Sequence, residues 1–213
     1  MKTEDLIAAL ALEPDFPGPK RSRRLIALWS GAGALVAAAV TLWVMGPRLD
    51  LGELAGQASF AGKASYTLAL AGAGFWLLDR LGRPGAQAKL PVLALAALLL
   101  GGLIATVIEL AMTPAAGRLN QLMGGSALIC PVAILSLGLL TLLPTLMAAR
   151  VMAPVRPGVA GGAVGLLAGG LAATAYGIHC SETSVSFLVV WYGLGVAMVS
   201  VVGAAAGSRL LRW

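Results

Sequence analysis

From residue 25 onward, long apolar runs alternate with short polar stretches. Six runs can be read: Leu25–Met45, Ala64–Leu78, Leu90–Ala111, Ser126–Ala148, Gly158–Ile178 and Phe187–Ser208. None shows the strict alternation of a half-buried strand, and most approach the ~20 apolar residues that a membrane-crossing helix needs. The pattern predicts an all-α, polytopic membrane protein with six transmembrane helices. Short alternating strands would mark a β-barrel, so that class is excluded. The second run is the shortest, and Lys63 and Asp79 are expected to snorkel from its two ends. Pro131 and Pro144 fall within the fourth run, where each removes a backbone donor and is expected to bend the helix.

Composition agrees with this picture. Apolar residues make up 59% of the 213 positions and charged residues 11%, whereas a soluble domain has about 45–50% and 25%. Six spans of about 21 residues use nearly all of that apolar content. Two parts follow: residues 1–24, a polar segment, and residues 25–213, the six-helix bundle.

The Lys and Arg residues orient the bundle. With the N-terminus in the cytoplasm, 12 of the 15 fall inside: Lys2, Lys20, Arg21, Arg23, Arg24, Arg80, Arg83, Lys89, Arg150, Arg156, Arg209 and Arg212. Arg48, Lys63 and Arg118 fall outside. The positive-inside rule therefore predicts both termini in the cytoplasm. Topology also explains the net charge of +6. The basic residues are divided among four segments instead of forming one stripe, so nucleic-acid binding is not expected.

Residues 1–24 read as a short amphipathic helix, a stiff tether and a basic approach to the membrane. Thr3 can cap the helix, with Glu4 and Asp5 in its first turn, where the helix dipole favours acids. Leu6, Ile7 and Leu10 share one face, Leu12 follows, and Pro14 stops the helix. A helix this short is not stable alone in water. It has three fates: to lie on the lipid surface, to pack on the bundle's own loops, or to fill a groove on a soluble partner. Burying about four aliphatic side chains yields roughly 6–12 kcal/mol gross, less about 2–5 kcal/mol for ordering.

Glycines at spacing four mark helix faces in the last two runs: Gly161, Gly165 and Gly169 in the fifth, Gly203 and Gly207 in the sixth. Such faces let backbones approach closely, and packing within the bundle is the expected use. Ionisable residues are nearly absent from the spans, Glu109 being the exception near the outer end of the third. A transporter would normally carry such residues at mid-membrane depth.

Two cysteines remain. Cys130 lies near the outer end of the fourth run, and Cys180 closes the fifth on the same side, beside His179 and Glu182. If their helices are neighbours, the thiols are within reach of a disulfide, and an oxidising compartment favours one. Cys130, His179 and Cys180 are also candidate ligands for a soft metal ion. Against both stands the ordinary reading of a membrane cysteine as a small hydrophobe. No CxxC is present, so thiol-oxidoreductase catalysis lacks its usual motif. No catalytic residue and no cofactor are expected.

Several stretches together resemble one family. They are the opening MKTEDLIAALA, the Pro-rich tether, Cys130-Pro131, RPGVAGGAVGLLAGGLAA, YGIHCSETS, VVWYGLG and the closing RLLRW. The chain is similar over nearly its whole length to the NrsF family of bacterial membrane proteins, negative regulators of the extracytoplasmic-function sigma factor sigma F. Ser181 departs from a Pro that relatives carry after the cysteine. The resemblance implies an anti-sigma factor, not an enzyme. Such a protein sequesters an extracytoplasmic-function sigma factor at the cytoplasmic face and releases it under heavy-metal or oxidative envelope stress. It also implies that Cys130 and Cys180 sense the stress and that Leu6, Ile7, Leu10 and Leu12 face the sigma factor. The alternative from a different class is a small-molecule or ion transporter.

Overall fold

A computed structural model describes residue 3 and residues 18–47, 58–83 and 85–212. Among these the chain is all-helical, with seven helices and no strand. Helix α1 is Pro19–Val40, prolonged by a π-helical segment Thr41–Met45. The next helices are α2 (Ala58–Leu81), α3 (Lys89–Met112), α4 (Ala115–Met123), α5 (Ile129–Ala149) and α6 (Pro157–Tyr176). The last, α7, runs over Val185–Leu210 and includes a second π segment, Leu188–Tyr192.

Each of the six apolar runs lies in a helix over most of its length. Five of these helices, all but α2, are long and apolar enough to cross a membrane by length and composition. Helix α2 has the length, at 24 residues, or about 36 Å at the α-helical rise. Lys63, Asp79 and Arg80 inside it lower its hydropathy. The short helix α4 has no counterpart among the apolar runs, because its Arg118, Asn120 and Gln121 interrupt them.

Three expectations are corrected. Lys63 and Asp79 do not snorkel: both are buried, because each finds polar partners inside the bundle. Pro131 falls in the first turn of α5, where the backbone N–H has no helical acceptor to lose, so only Pro144 interrupts the interior of that helix. The first residues of the fourth run, 126–128, belong to a turn over 124–128 and not to helix, which brings Cys130 to the start of α5.

Helix α6 is the hub. It packs on α7, α2, α5 and α1, and 67% of its apolar window is buried, against 11% for the peripheral α3. Backbone contact with α7 makes this possible. A Cβ placed on Gly165 would lie 2.5 Å from the Val199 carbonyl oxygen and 2.6 Å from Ser200 Cα; on Gly203 it would lie 2.5 Å from the Gly161 oxygen. The glycine faces therefore serve packing within the bundle. The outward surfaces of α1, α3 and α5 remain apolar and exposed, with Leu35, Trp43, Leu93, Ile104, Leu143 and Met147 among them, as a lipid solvent permits.

The chain's two described ends lie together. Ile26, Leu78, Ala149, Met152, Ala160 and Leu211 belong to one buried cluster, and Asp79 joins Arg23 and Arg83 nearby through bonds of 2.6 and 2.7 Å. Arg23, and then Arg83, hold the Asp79 carboxyl below the usual carboxylate range against the opposing effect of burial. At the opposite end lie the turns 46–47, 113–114, 124–128 and 177–184.

Candidate functional site

At that opposite end, α6 stops after Tyr176. The N–H groups of Ile178, His179 and Cys180 close tight turns onto Ala175 and Tyr176, and the chain passes through residues 177–184 before α7 begins. Ser184 caps α7 by accepting from the Phe187 N–H at 3.0 Å. The Glu109 carboxylate, near the C-terminal end of α3, accepts from the N–H groups of Val185 (2.9 Å) and Ser186 (2.6 Å). Anions are favoured at a helix N-terminus, so Glu109 fastens α3 to α7. It serves the bundle's architecture.

The loop and the start of α5 bring the two cysteines together. Both are buried free thiols, at 0% and 4% exposure, and their sulfurs lie 3.8 Å apart. Cys130 Sγ is also 3.3 Å from Ser126 Oγ and 3.3 Å from the Tyr176 hydroxyl. Lys63, from α2, donates its ammonium to the Cys180 carbonyl at 3.1 Å and stands 5.5 Å over the Tyr192 ring. Tyr176 and Tyr192 pack on one another at 5.8 Å. A buried ammonium is costly unless it is compensated. Here a carbonyl dipole and an aromatic face, both beside the thiol pair, supply part of that compensation.

The site is roofed by the turn between α4 and α5. The Glu182 carboxylate accepts from the Gly125 N–H at 2.7 Å and lies 3.4 Å from Ser126 Oγ. Gly124, with φ +52, leaves room for it, since a Cβ there would meet the carboxylate at 2.6 Å. Helix α4 is tied down by Ser184, which donates to the Gln121 carbonyl, and by the Trp191 indole, which donates to the Leu122 carbonyl.

Of the residues expected from the sequence, Cys130 and Cys180 meet. His179 stands at the edge of the site, its Nδ1 3.0 Å from the Gly46 carbonyl and its ring 6.0 Å from that of Tyr176. Among the described residues no three His, Cys, Asp or Glu side chains gather closely enough to hold a metal ion. Leu6, Ile7, Leu10 and Leu12 lie outside the described residues. Sequence reasoning missed Lys63, Ser126, Tyr176 and Tyr192 as neighbours of the thiols. Lys63 carried a usable signal, a cation at the edge of an apolar run; the tyrosines and Ser126 carried none.

The arrangement suits one kind of chemistry. Two thiols in contact can close to a disulfide with little backbone movement, and the loop holding one of them also touches α1, α2 and α5. Nothing in it resembles a nucleophile with its base and a substrate cleft.

Comparison with known proteins agrees. Residues 10–213 match the NrsF family, described as "Negative regulator of sigma F". A Caulobacter vibrioides protein named "Anti-sigma-F factor NrsF" is 39% identical over 214 aligned residues, covering the whole of both chains. One from Azospira oryzae, named "Probable anti-sigma-F factor NrsF", is 34% identical, again over the full length of both. No solved structure matches the chain. On the strength of a match that runs from residue 10 to the last, the chain belongs to the NrsF family, whose members are negative regulators of sigma F and not enzymes.

Proposed function

We propose that this protein is an integral inner-membrane anti-sigma factor. It crosses the bilayer six times with both termini in the cytoplasm, holds an extracytoplasmic-function sigma factor there, and releases it when envelope stress reaches the thiol pair. Family membership supports the sigma-factor partner. The charge distribution supports the orientation: Lys20, Arg21, Arg24, Arg83, Lys89, Arg150, Arg156, Arg209 and Arg212 flank the end of the bundle where α1 begins and α7 ends. The thiols are at the other end, which this orientation turns to the periplasm, an oxidising compartment.

The 3.8 Å approach of Cys130 and Cys180 carries the sensing reading. Closing the pair removes two protons and two electrons. A diazene oxidant such as diamide takes them up and becomes a hydrazine, while one S–S bond forms. The sulfurs must then approach to about 2.05 Å, so the loop at 177–184 and the start of α5 draw together. Switching a bound population from 1:99 to 99:1 requires about 5.5 kcal/mol of differential affinity.

The partner-binding element is the helix expected near the N-terminus, with Leu6, Ile7, Leu10 and Leu12 in the sigma factor's groove. Replacing both cysteines by Ser tests the sensing. The variant should insert in the membrane and bind the sigma factor, yet fail to change its occupancy under the stressor. A double variant that responds as the wild type does would overturn the reading. Deleting residues 2–18 separates anti-sigma action from transport: loss of sigma-factor binding is expected, whereas a transporter would keep its activity.

A further inference from the structure

A change at the thiols must travel to the opposite end of the bundle, where α1 begins, to affect a binding segment that precedes α1. Helix α1 connects the two, since its first residues follow directly on that segment and its last approach the thiol loop. We propose that His179 couples the state of the thiol pair to α1. The inference rests on the reading that the thiols sense and the N-terminal segment binds.

His179 is one bond network away from both sulfurs. It precedes Cys180 in the chain, so any displacement of Cys180 moves its backbone. Its ring packs at 6.0 Å on that of Tyr176, whose hydroxyl lies 3.3 Å from Cys130 Sγ. On its other side, Nδ1 stands 3.0 Å from the Gly46 oxygen. A carbonyl only accepts, so Nδ1 carries the hydrogen and His179 donates. Gly46 takes φ +77 to end α1, a conformation that favours glycine.

The segment just before Gly46 is not ordinary helix. Thr41–Met45 is π-helical, which places an extra residue in the turn compared with an α-helix. π segments are uncommon and recur at functional sites. Reversion of such a segment to α would shift the register by one residue, or about 1.5 Å of rise. Coupling between distant sites needs a two-state element of this kind that both sites bias. Below it, α1 runs as regular helix to Pro19 and meets α2 through Arg23 and Asp79. A pull or release at Gly46 thus falls on the part of α1 where such a change of register would occur, and the regular part would carry the result to the tether.

A competing route exists through α5, which bears Cys130 and packs along α1, with Gly33 against Thr141. Experiment separates the two. Full-length protein in inverted inner-membrane vesicles, loaded with its cognate sigma factor, is treated with diamide. Thiol closure is read by loss of maleimide labelling, sigma-factor retention by sedimentation, and exposure of the Lys20–Arg24 segment by trypsin. In the wild type, closure should lower the affinity for the sigma factor by about tenfold or more, in the usual range of allosteric coupling. In His179→Ala the thiols should close to the same extent, while retention and tryptic cleavage stay within about twofold of the untreated protein. His179→Asn, whose amide nitrogen can sit where Nδ1 does, should restore release. Should His179→Ala not reach the membrane, His179→Phe fills the same space beside Tyr176 without a donor and carries the same expectation.

A His179→Ala or His179→Phe protein that closes its thiols and releases the sigma factor as the wild type does would overturn the coupling and favour α5. A wild type that closes its thiols and still holds the sigma factor would overturn the sensing reading instead. The coupling would then stand or fall on whether closure changes wild-type tryptic cleavage but not that of His179→Ala.

Discussion

Cys130, at the start of α5, and Cys180, in the loop after α6, bring their sulfurs to 3.8 Å across 50 positions of sequence. Neither reaches the surface to any extent, so the pair is poised for a bond to each other more than for attack on a bulky substrate. Five further side chains frame it: Lys63, Ser126, Tyr176, His179 and Tyr192.

Oxidation of purified protein in detergent should give an intramolecular bridge, with no cross-linked dimer. Closing a 50-residue loop stabilises a fold by about 4 kcal/mol in the chain-entropy account. The thermal midpoint of the oxidised wild type should therefore exceed that of the reduced form, and Cys130→Ser or Cys180→Ser should abolish the difference. Equal midpoints in a fully bridged sample would show that the native geometry resists the bond.

Glu182 holds the turn above the thiols through Gly125 and Ser126. Glu182→Ala should raise the rate at which a small alkylating reagent reaches Cys130 and Cys180. Losing charge-assisted hydrogen bonds of this kind costs about 1.5–3 kcal/mol, which corresponds to roughly a tenfold or greater rise in the open population. An unchanged labelling rate would mean that the roof is held by other contacts.

Two neighbouring glycines of α6 offer a matched pair. A Cβ on Gly165 meets the α7 backbone at 2.5 Å, whereas one on Gly162 meets Ala204 Cβ at an ordinary 3.7 Å. Gly165→Ala should destabilise by about 3 kcal/mol or more, because neither backbone can yield; Gly162→Ala should be nearly neutral. Thermal unfolding in detergent followed by circular dichroism would decide it, and similar midpoints would contradict the close α6–α7 approach.

Asp79 is buried between Arg23 and Arg83, with Arg23 itself half exposed. Asp79→Asn should cost about 1–3 kcal/mol, the solvent-facing arginine lowering the figure from that of a fully buried pair. Because the folded carboxyl titrates below its unfolded value near 3.9, its contribution is present above that pH and is lost as pH falls through the folded pKa. The stability gap between wild type and Asp79→Asn should thus be full at neutral pH and close in acid. A gap independent of pH would assign the loss to packing instead of charge.

Much of the architecture is legible in the sequence. Every apolar run lies in a helix over most of its length, because uninterrupted apolar sequence of that length has few other ways to satisfy its backbone. Boundaries were less so: the fourth run lost its first residues to a turn, and α4 stayed hidden because nine amphipathic residues leave little hydropathy signal. The two cysteines stood out by scarcity. Their surroundings did not, since Lys63 comes from α2, Ser126 from a turn and Tyr192 from a π segment, and no local pattern links them.

Composition and periodicity by themselves determined the helical class and the approximate helix positions, and short motifs carried the family resemblance, all of which are read from residues in order along the chain. Only the tertiary structure decided that Cys130 and Cys180 touch, that Lys63 and Asp79 turn inward, and that His179 reaches Gly46. Those facts depend on which helices are neighbours and how closely their backbones approach. That spacing is set by the small-residue contacts of α6 with α7 and α2, and no single segment encodes it.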